Sequence, residues 1–239
     1  MNLKLAAFLL LTALTVWMPV GSRVHLTLAQ ALIPGGWYLP LTGCLQLGMA
    51  VSALVLYRSH LKRLAMQWLP AAVSILVLGL LFPGENVPEF VSGVVTIAVG
   101  ILFLIQSGMH LEPLDIKGIS RTVLWVLITC LGMIPGVGVL SMAMLAGLVT
   151  GLREEQAYSL AVMTSLWIQA VSGFHNLALL PAAGLMPVLA CLLTAAFGFV
   201  LSPVLIRAMR SWFSRHTLLL FGLWRIAFGA VFLLVFCVF

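Results

Sequence analysis

Charged residues are scarce in this chain. Of its 239 residues, 12 are lysine or arginine and six are aspartate or glutamate, whereas 63% are hydrophobic. The mean hydropathy is +1.19. A water-soluble fold of this length cannot cover its surface with so few charges. The composition therefore excludes a soluble globular protein and predicts an all-α polytopic membrane protein, a single integral membrane domain over residues 1–239.

Several chemical signatures are also missing from the sequence. It has no cluster of metal-ligating residues and no nucleotide-binding loop, so we expect no metal, no cofactor and no ATP-driven mechanism. Because there is no soluble domain to carry the net charge of +6, we expect no nucleic-acid partner. The cysteines fit neither a zinc site nor a CxxC pair, and we interpret them as buried apolar side chains. They are Cys44, Cys130, Cys191 and Cys237.

Apolar runs long enough to span a bilayer predict about six transmembrane helices. They lie at about 3–21, 64–82, 90–107, 157–179, 182–202 and 217–238. Two further apolar stretches, 24–57 and 121–152, are interrupted by Pro34-Gly35-Gly36 and by Pro135-Gly136. Proline lacks an amide donor and glycine disfavours a continuous helix. Each stretch is therefore predicted to form a re-entrant hairpin of two short helices.

Basic residues are distributed unequally between the two sides of this topology. If six runs cross and both hairpins return to the side they enter from, ten basic residues face one side and Lys4 faces the other. The positive-inside rule makes the basic side cytoplasmic. The ten residues are Arg23, Arg58, Lys62, Arg63, Lys117, Arg121, Arg153, Arg207, Arg210 and Arg215.

The two interrupted stretches resemble each other. Ile33-Pro34-Gly35 and Ile134-Pro135-Gly136 are each followed by a segment rich in small residues, which favour close helix packing. The similarity suggests an internal repeat with halves 1–107 and 108–239. The alternative is that such breaks are simply common in membrane helices. Paired breaks in corresponding halves are typical of a binding site near the middle of the membrane.

The same segments resemble the bacitracin-resistance type of undecaprenyl-diphosphate phosphatase. Residues 135–141, PGVGVLS, occupy the place of the family loop PGTSRSG, and 146–155, AGLVTGLREE, resemble AGLLLGLSRE. Residues 210–229 resemble the family's C-terminal pattern of a basic turn, an apolar run, Tyr-Arg and Gly. More weakly, 38–45, YLPLTGCL, resemble EGLTEFLPISSTGHL. The resemblance implies a bacterial inner-membrane protein with inverted repeats, although the charge count places both hairpins on one face.

The departures from the family pattern fall on its chemistry. Val139 stands at the position of the loop arginine, Val137, Gly138 and Leu140 replace hydroxyl residues, and Cys44 stands at a histidine position. The positions of two family glutamates fall at about Ile33 and Trp37. Diphosphate hydrolysis needs charge stabilisation and a base or nucleophile. We therefore expect no catalytic residues and a phosphatase-like protein that does not hydrolyse its lipid.

Arg225 is the strongest remaining functional candidate, since a charge within a membrane span is costly. It is predicted to pair with a lipid phosphate, the alternative being an arginine that binds helix carbonyls or extends to the interface. The predicted substrate-binding residues are Pro34, Gly35, Gly36, Thr42, Pro135, Gly136, Gly138, Ser141 and Arg225. A second group of residues is predicted to line a polar path through the membrane. The alternative is that these side chains simply lie at the membrane interface. The residues of this path are Glu154, Glu155, Gln169 and His175.

Three functions are compatible with this reading. The favoured one is binding, and translocation, of a polyprenyl phosphate or related anionic lipid in envelope biogenesis. The second is an undecaprenyl-diphosphate phosphatase with a rearranged site. The third is a non-catalytic membrane subunit of an envelope-synthesis complex, and a homodimer or such a partner is the protein assembly we expect. Lipid translocation in liposomes would support the first function, and release of phosphate from a polyprenyl diphosphate would support the second. A stable co-purifying protein would support the third.

Overall fold

A computed structural model describes residues 3–32, 38–60, 88–108, 118–178 and 185–238. Every regular element in these ranges is helical, which confirms the all-α prediction. The nine α-helices within them are α1 (Leu3–Val16), α2 (Ser22–Leu32), α3 (Tyr38–Leu56), α4 (Glu89–Gly108), α5 (Ile119–Cys130), α6 (Val139–Val149), α7 (Glu154–Ala178), α8 (Leu185–Phe213) and α9 (Leu219–Val238). Short 3₁₀ turns follow α3 at Arg58–His60 and α5 at Leu131–Met133.

Four of the described helices are long and apolar enough to cross a membrane. They contain the windows Leu39–Leu56, Glu89–Gly108, Pro187–Phe213 and Leu219–Phe236. The last three match predicted spans, and together with shorter apolar helices they support a polytopic membrane protein. The predicted span at 64–82 and the break at Pro34-Gly35-Gly36 lie outside the described residues.

Three boundaries differ from the sequence prediction. Helix α1 ends at Val16 instead of continuing to 21, since the turn before α2 contains Pro19 and Gly21, whose φ is +76°. Helix α7 covers 157–179 almost completely, but its polar side chains keep it below the hydropathy of a typical span. Helix α3 has 19 residues, about 28 Å, so this half of the first interrupted stretch is itself long enough to cross.

Helix α3 is packed tightly between α7 and α8. A β-carbon on Gly43 would lie 2.7 Å from the carbonyl oxygen of Gly173, and one on Gly48 would overlap the carbonyl of Ala195. Glycine at these two positions therefore allows the backbones to touch. The Oγ of Ser202 adds a hydrogen bond of 3.3 Å to the carbonyl of Met49. These contacts make α3 antiparallel to α7 and parallel to α8.

Helices α4 and α9 form a second close pair, joined through two glycine contacts. A β-carbon on Gly100 would lie 2.8 Å from the carbonyl oxygen of Gly222, and one on Gly222 would lie 2.9 Å from that of Gly100. One on Gly229 would lie 3.2 Å from the carbonyl oxygen of Gly93. The antiparallel pair is held at backbone distance, with Arg225 between the two contacts.

Helices α5 and α6 form a short hairpin around the Pro135-Gly136 break. The 12 residues of α5 rise about 18 Å and the 11 of α6 return about 16 Å, each less than a full crossing. Arg121 lies at the start of α5 and Arg153 follows the end of α6. This geometry has the dimensions expected of a re-entrant hairpin, and its placement within the bilayer stays a prediction.

Candidate functional site

Arg225 lies inside the protein where α9, α4, the α1–α2 turn and the 134–138 loop meet. Its exposed fraction is 0%, and it is among the largest fully buried side chains of the described residues. The face of α9 that carries it packs on Gly100, which places the Arg225 β-carbon against α4. The sequence prediction of a charge within the last span therefore corresponds to a fully buried guanidinium.

The guanidinium binds three backbone carbonyls and one hydroxyl. Its Nε donates to the oxygen of Pro19 over 2.8 Å, Nη1 to that of Gly136 over 3.1 Å, and Nη2 to that of Val137 over 2.7 Å. Nη2 also donates a short hydrogen bond to the Oγ of Ser141. Because these bonds occupy four of the five N–H donors, the side chain is firmly oriented. The three carbonyls belong to turns, whereas the sequence-based alternative was an arginine that binds helix carbonyls.

The surroundings of this charge are neutral throughout the described part of the chain. Its acceptors are carbonyl and hydroxyl oxygens, and the ring of Phe103 lies 5.3 Å from its central carbon. The carboxylates of Glu154 and Glu155 lie at the start of α7, and Glu89 begins α4, eleven residues from Gly100. A buried charge without an opposite charge carries a large desolvation cost. Among the described residues, no carboxylate hydrogen-bonds to the guanidinium, and its oxygen partners take the place of a counter-ion.

The loop after α5 adopts a conformation that only glycine accommodates. Gly136 and Gly138 have φ values of +90° and +84°. A β-carbon on Gly136 would overlap the carbonyl of Ser92 on α4. The carbonyl oxygen of Gly136 accepts a second hydrogen bond of 3.1 Å from the Oγ1 of Thr96. The break predicted at Pro135-Gly136 is therefore a fixed turn, held by α4 and by Arg225.

The N-terminus of α6 faces the same guanidinium. Gly138 precedes this helix, and no side chain caps its first amides. Such amides carry a partial positive charge and bind anions. A β-carbon on Gly138 would lie 3.6 Å from both the Arg225 Nη2 and the Ser141 Oγ. The structure thus brings four predicted site residues together: Gly136, Gly138, Ser141 and Arg225. Pro135 is buried in the same turn.

His25 borders the site and was missed in the sequence analysis. Its exposed fraction is 3%, its Nε2 accepts a 3.0 Å hydrogen bond from the Trp224 indole, and its Nδ1 lies 3.1 Å from the Gly21 oxygen. Since the indole can only donate, Nε2 is the acceptor and Nδ1–H the donor, which defines a neutral imidazole. The ring stacks on Phe228 at 3.8 Å. Its only sequence signal is a polar residue within an apolar stretch.

The four residues of the predicted polar path all lie on α7, and the path itself stays a prediction. Glu155 pairs with Arg210 through a 2.7 Å contact at an exposed position, and His175 is exposed. Gln169 is buried in α7. Glu154 and Glu155 occupy the first turn of α7, where carboxylates favour the helix dipole. These positions correspond to the interfacial alternative for the glutamates and the histidine.

Thr42 is the one described member of the first interrupted stretch that was predicted to bind substrate. Its exposed fraction is 3%, and it lies one turn from Gln46, which accepts a 3.3 Å hydrogen bond from Asn176. This cluster lies at the contact between α3 and α7. Pro34, Gly35 and Gly36 lie outside the described residues, so their part in the site stays a prediction.

The fold and the site together define a polytopic α-helical membrane protein with a glycine-containing turn and a buried cation at its centre. Residues 7–231 match the family model described as Bacitracin resistance protein BacA. The chain therefore belongs to this family, which confirms the resemblance. It is 24% identical over 253 aligned residues to an undecaprenyl-diphosphatase of Alteromonas mediterranea, covering 94% of each chain. An undecaprenyl-diphosphatase of Azotobacter vinelandii is 32% identical over 109 residues, which are 44% of this chain and 39% of the relative.

The family membership determines the class of molecule and the location. The protein is a lipid-related membrane protein of the undecaprenyl-diphosphatase family, resident in the bacterial inner membrane. A polyprenyl phosphate lipid is the substrate class that this family implies.

Proposed function

We propose that this protein binds the head group of a polyprenyl phosphate or diphosphate at the N-terminus of α6 without hydrolysing it, and translocates the lipid. The observation that carries the proposal is the buried Arg225 guanidinium. It has only neutral partners among the described residues and lies beside a helix N-terminus that no described side chain caps. A phosphate monoester or diester would supply the missing negative charge.

The absence of hydrolysis rests on the residues of the turn itself. Val137, Val139 and Leu140 are 4%, 8% and 6% exposed, so apolar side chains occupy the part of the loop where the resembled motif has arginine and hydroxyls. Phosphoryl transfer depends on charge stabilisation of the transferred group and on a positioned nucleophile. Arg225 already donates to three carbonyls and to the Ser141 hydroxyl, so one of its five N–H donors is free for that purpose.

Binding is tested with the full-length protein in detergent and a fluorescent short-chain polyprenyl phosphate. Arg225→Gln is expected to weaken binding roughly tenfold or more, since one charge-assisted contact exceeds 1.4 kcal/mol. Arg210→Gln is the matched control, because it removes an exposed arginine of the same charge. Unchanged binding by a folded Arg225→Gln protein contradicts the proposal.

Translocation is tested separately in liposomes that carry the wild-type protein and a labelled polyprenyl phosphate. Movement of label to the opposite leaflet, lost with Arg225→Gln and retained with Arg210→Gln, is the expected result. Binding without movement would contradict translocation and leave a lipid-binding subunit. A stable protein partner that co-purifies with the chain would then identify that subunit role.

A phosphatase with a rearranged site is the second candidate. One observation favours it: Ser141 and His25 both border Arg225, so a hydroxyl, an imidazole and a guanidinium lie in one buried region. The two undecaprenyl-diphosphatase relatives point to the same reaction. Inorganic phosphate released from a polyprenyl diphosphate would support this candidate if release disappears with Ser141→Ala and His25→Gln. Such a result would overturn the non-hydrolytic proposal.

A further inference from the structure

Two of the four cysteines face each other across the contact between α3 and α8. Cys44 and Cys191 are 4% and 9% exposed, and both are free thiols. Cys191 is a near neighbour that contributes to the electrostatic environment of the Cys44 thiol. The sequence predicts four separate buried apolar side chains, so the proximity of these two cysteines arises from helix packing.

The helix packing explains why the two thiols meet. Helices α3 and α8 run parallel, and one turn after the cysteines the backbone of Gly48 lies against the carbonyl of Ala195. Four residues separate Cys44 from Gly48, and four separate Cys191 from Ala195, so the two pairs are equivalent positions one turn apart. A disulfide needs Cα atoms about 4.4–6.8 Å apart, and the contact of Gly48 with the Ala195 carbonyl brings the two helix backbones together one turn away.

The pair lies toward one end of the membrane domain. Cys44 is six residues from the start of α3 and Cys191 six from the start of α8, about 9 Å along each helix axis. Arginines of this helix group lie at the opposite end: Arg58 after α3, Arg153 before α7, Arg207 and Arg210 near the end of α8, and Arg215 just after it. The positive-inside rule makes that end cytoplasmic. The thiols are therefore on the outward half, next to the compartment in which disulfides persist.

We propose that Cys44 and Cys191 form a modification site that closes to a disulfide and links α3 covalently to α8. The two thiols lose two protons and two electrons as the S–S bond forms. A small two-electron acceptor that enters the bilayer, of the quinone or diazene class, takes up both and becomes a quinol or a hydrazine. Burial excludes large oxidants, so the site selects for small membrane-permeant ones.

The experiment treats the reduced full-length protein in detergent with diamide, a permeant diazene, and then denatures and alkylates it. The expected result is the loss of two alkylatable thiols out of four, with peptide mass mapping that joins Cys44 to Cys191. Cys44→Ser and Cys191→Ser are each expected to retain all three remaining thiols. Cys130→Ser is the matched control and retains the cross-link, because Cys130 lies outside this contact at the end of α5.

Unfolded wild-type protein distinguishes native pairing from chance pairing. Oxidation after denaturation in dodecyl sulfate is expected to give a mixture of pairs, whereas the folded protein gives one. Four alkylatable thiols in folded, diamide-treated protein overturn the proposal, as does a cross-link between any other two cysteines. Cys44→Ala, a smaller change at a buried position, repeats the test if Cys44→Ser is poorly folded.

Discussion

Arg225 donates a hydrogen bond of 2.8 Å from its Nε to the carbonyl oxygen of Pro19, which joins the last helix to the turn between the first two. The Nη1 and Nη2 atoms of the same side chain bind the 134–138 loop. One residue therefore connects three segments that are far apart in the sequence. The binding proposal depends on this connection.

Replacement of Arg225 by lysine should destabilise the protein although the charge is kept. A lysine ammonium is a compact donor and cannot match a planar guanidinium that serves carbonyls in three directions. We expect Arg225→Lys to lose roughly 3 kcal/mol of stability, the value of one or two charged hydrogen bonds. Thermal unfolding in detergent measures the change. Stability equal to wild type would show that these carbonyls are not held by the guanidinium.

Gly136→Ala should disturb the loop strongly. The residue has a φ of +90°, and an added β-carbon would overlap the carbonyl of Ser92. We expect a loss of about 2 kcal/mol or more from backbone strain and from displacement of α4. Gly108→Ala is the control, since no atom of the described residues lies within 4 Å of its would-be β-carbon. Equal effects of the two substitutions would contradict the described turn.

Substitution in the α4–α9 contact should be non-additive. Gly100→Ala and Gly222→Ala each place a methyl group within 3 Å of the opposite carbonyl oxygen, so either one should separate the helices. Once the helices have moved apart, the second methyl group meets less resistance. We expect the double variant to be less destabilised than the sum of the two single variants. Strict additivity in thermal unfolding would indicate that the two glycines do not face each other.

The hydrogen bond from Trp224 to His25 should contribute modestly to stability. Trp224→Phe keeps an aromatic ring for the stack with Phe228 but removes the indole donor. We expect a loss of about 1 kcal/mol. A double-mutant cycle with His25→Phe is the check, because the coupling energy isolates this one bond. A coupling energy near zero would argue against the neutral imidazole described above.

The ion pair between Glu155 and Arg210 should contribute little. The side chains are 38% and 53% exposed, and exposed ion pairs contribute between zero and about 1 kcal/mol. Glu155→Gln is therefore expected to leave both unfolding and lipid translocation within error of wild type. A large fall in translocation with unchanged stability would restore the polar-path prediction for this glutamate.

The sequence was sufficient for the class of fold and for the position of the central break. Apolar runs and Pro-Gly interruptions are local signals. The runs correspond to α4, α8 and α9, and the interruption corresponds to the turn at Gly136. The length of α3 was harder to predict. Its proline, Pro40, lies in the first turn of the helix, where a missing amide costs nothing, so the proline does not shorten it.

The partners of the site residues were not accessible from the sequence. A buried charge at Arg225 is visible in the chain, but the oxygen atoms that it binds are backbone groups, which every residue carries alike. His25 and the Cys44–Cys191 pair belong to the site and to the α3–α8 contact only through helix packing. Periodicity predicts which residues lie on a helix, whereas the register between two helices depends on contacts such as that of Gly48.

The glycines of α4 and α9 set the depth of the positive charge in the membrane. Gly93 and Gly100 are seven residues apart, as are Gly222 and Gly229, so the two helices meet in one register only. Arg225 lies on α9 between those contacts, and its depth is therefore determined by backbone shape. Lipid-facing side chains on either helix can therefore vary in size without moving the guanidinium along the membrane normal. The electrostatic potential at the centre of the protein then stays constant while its apolar exterior changes.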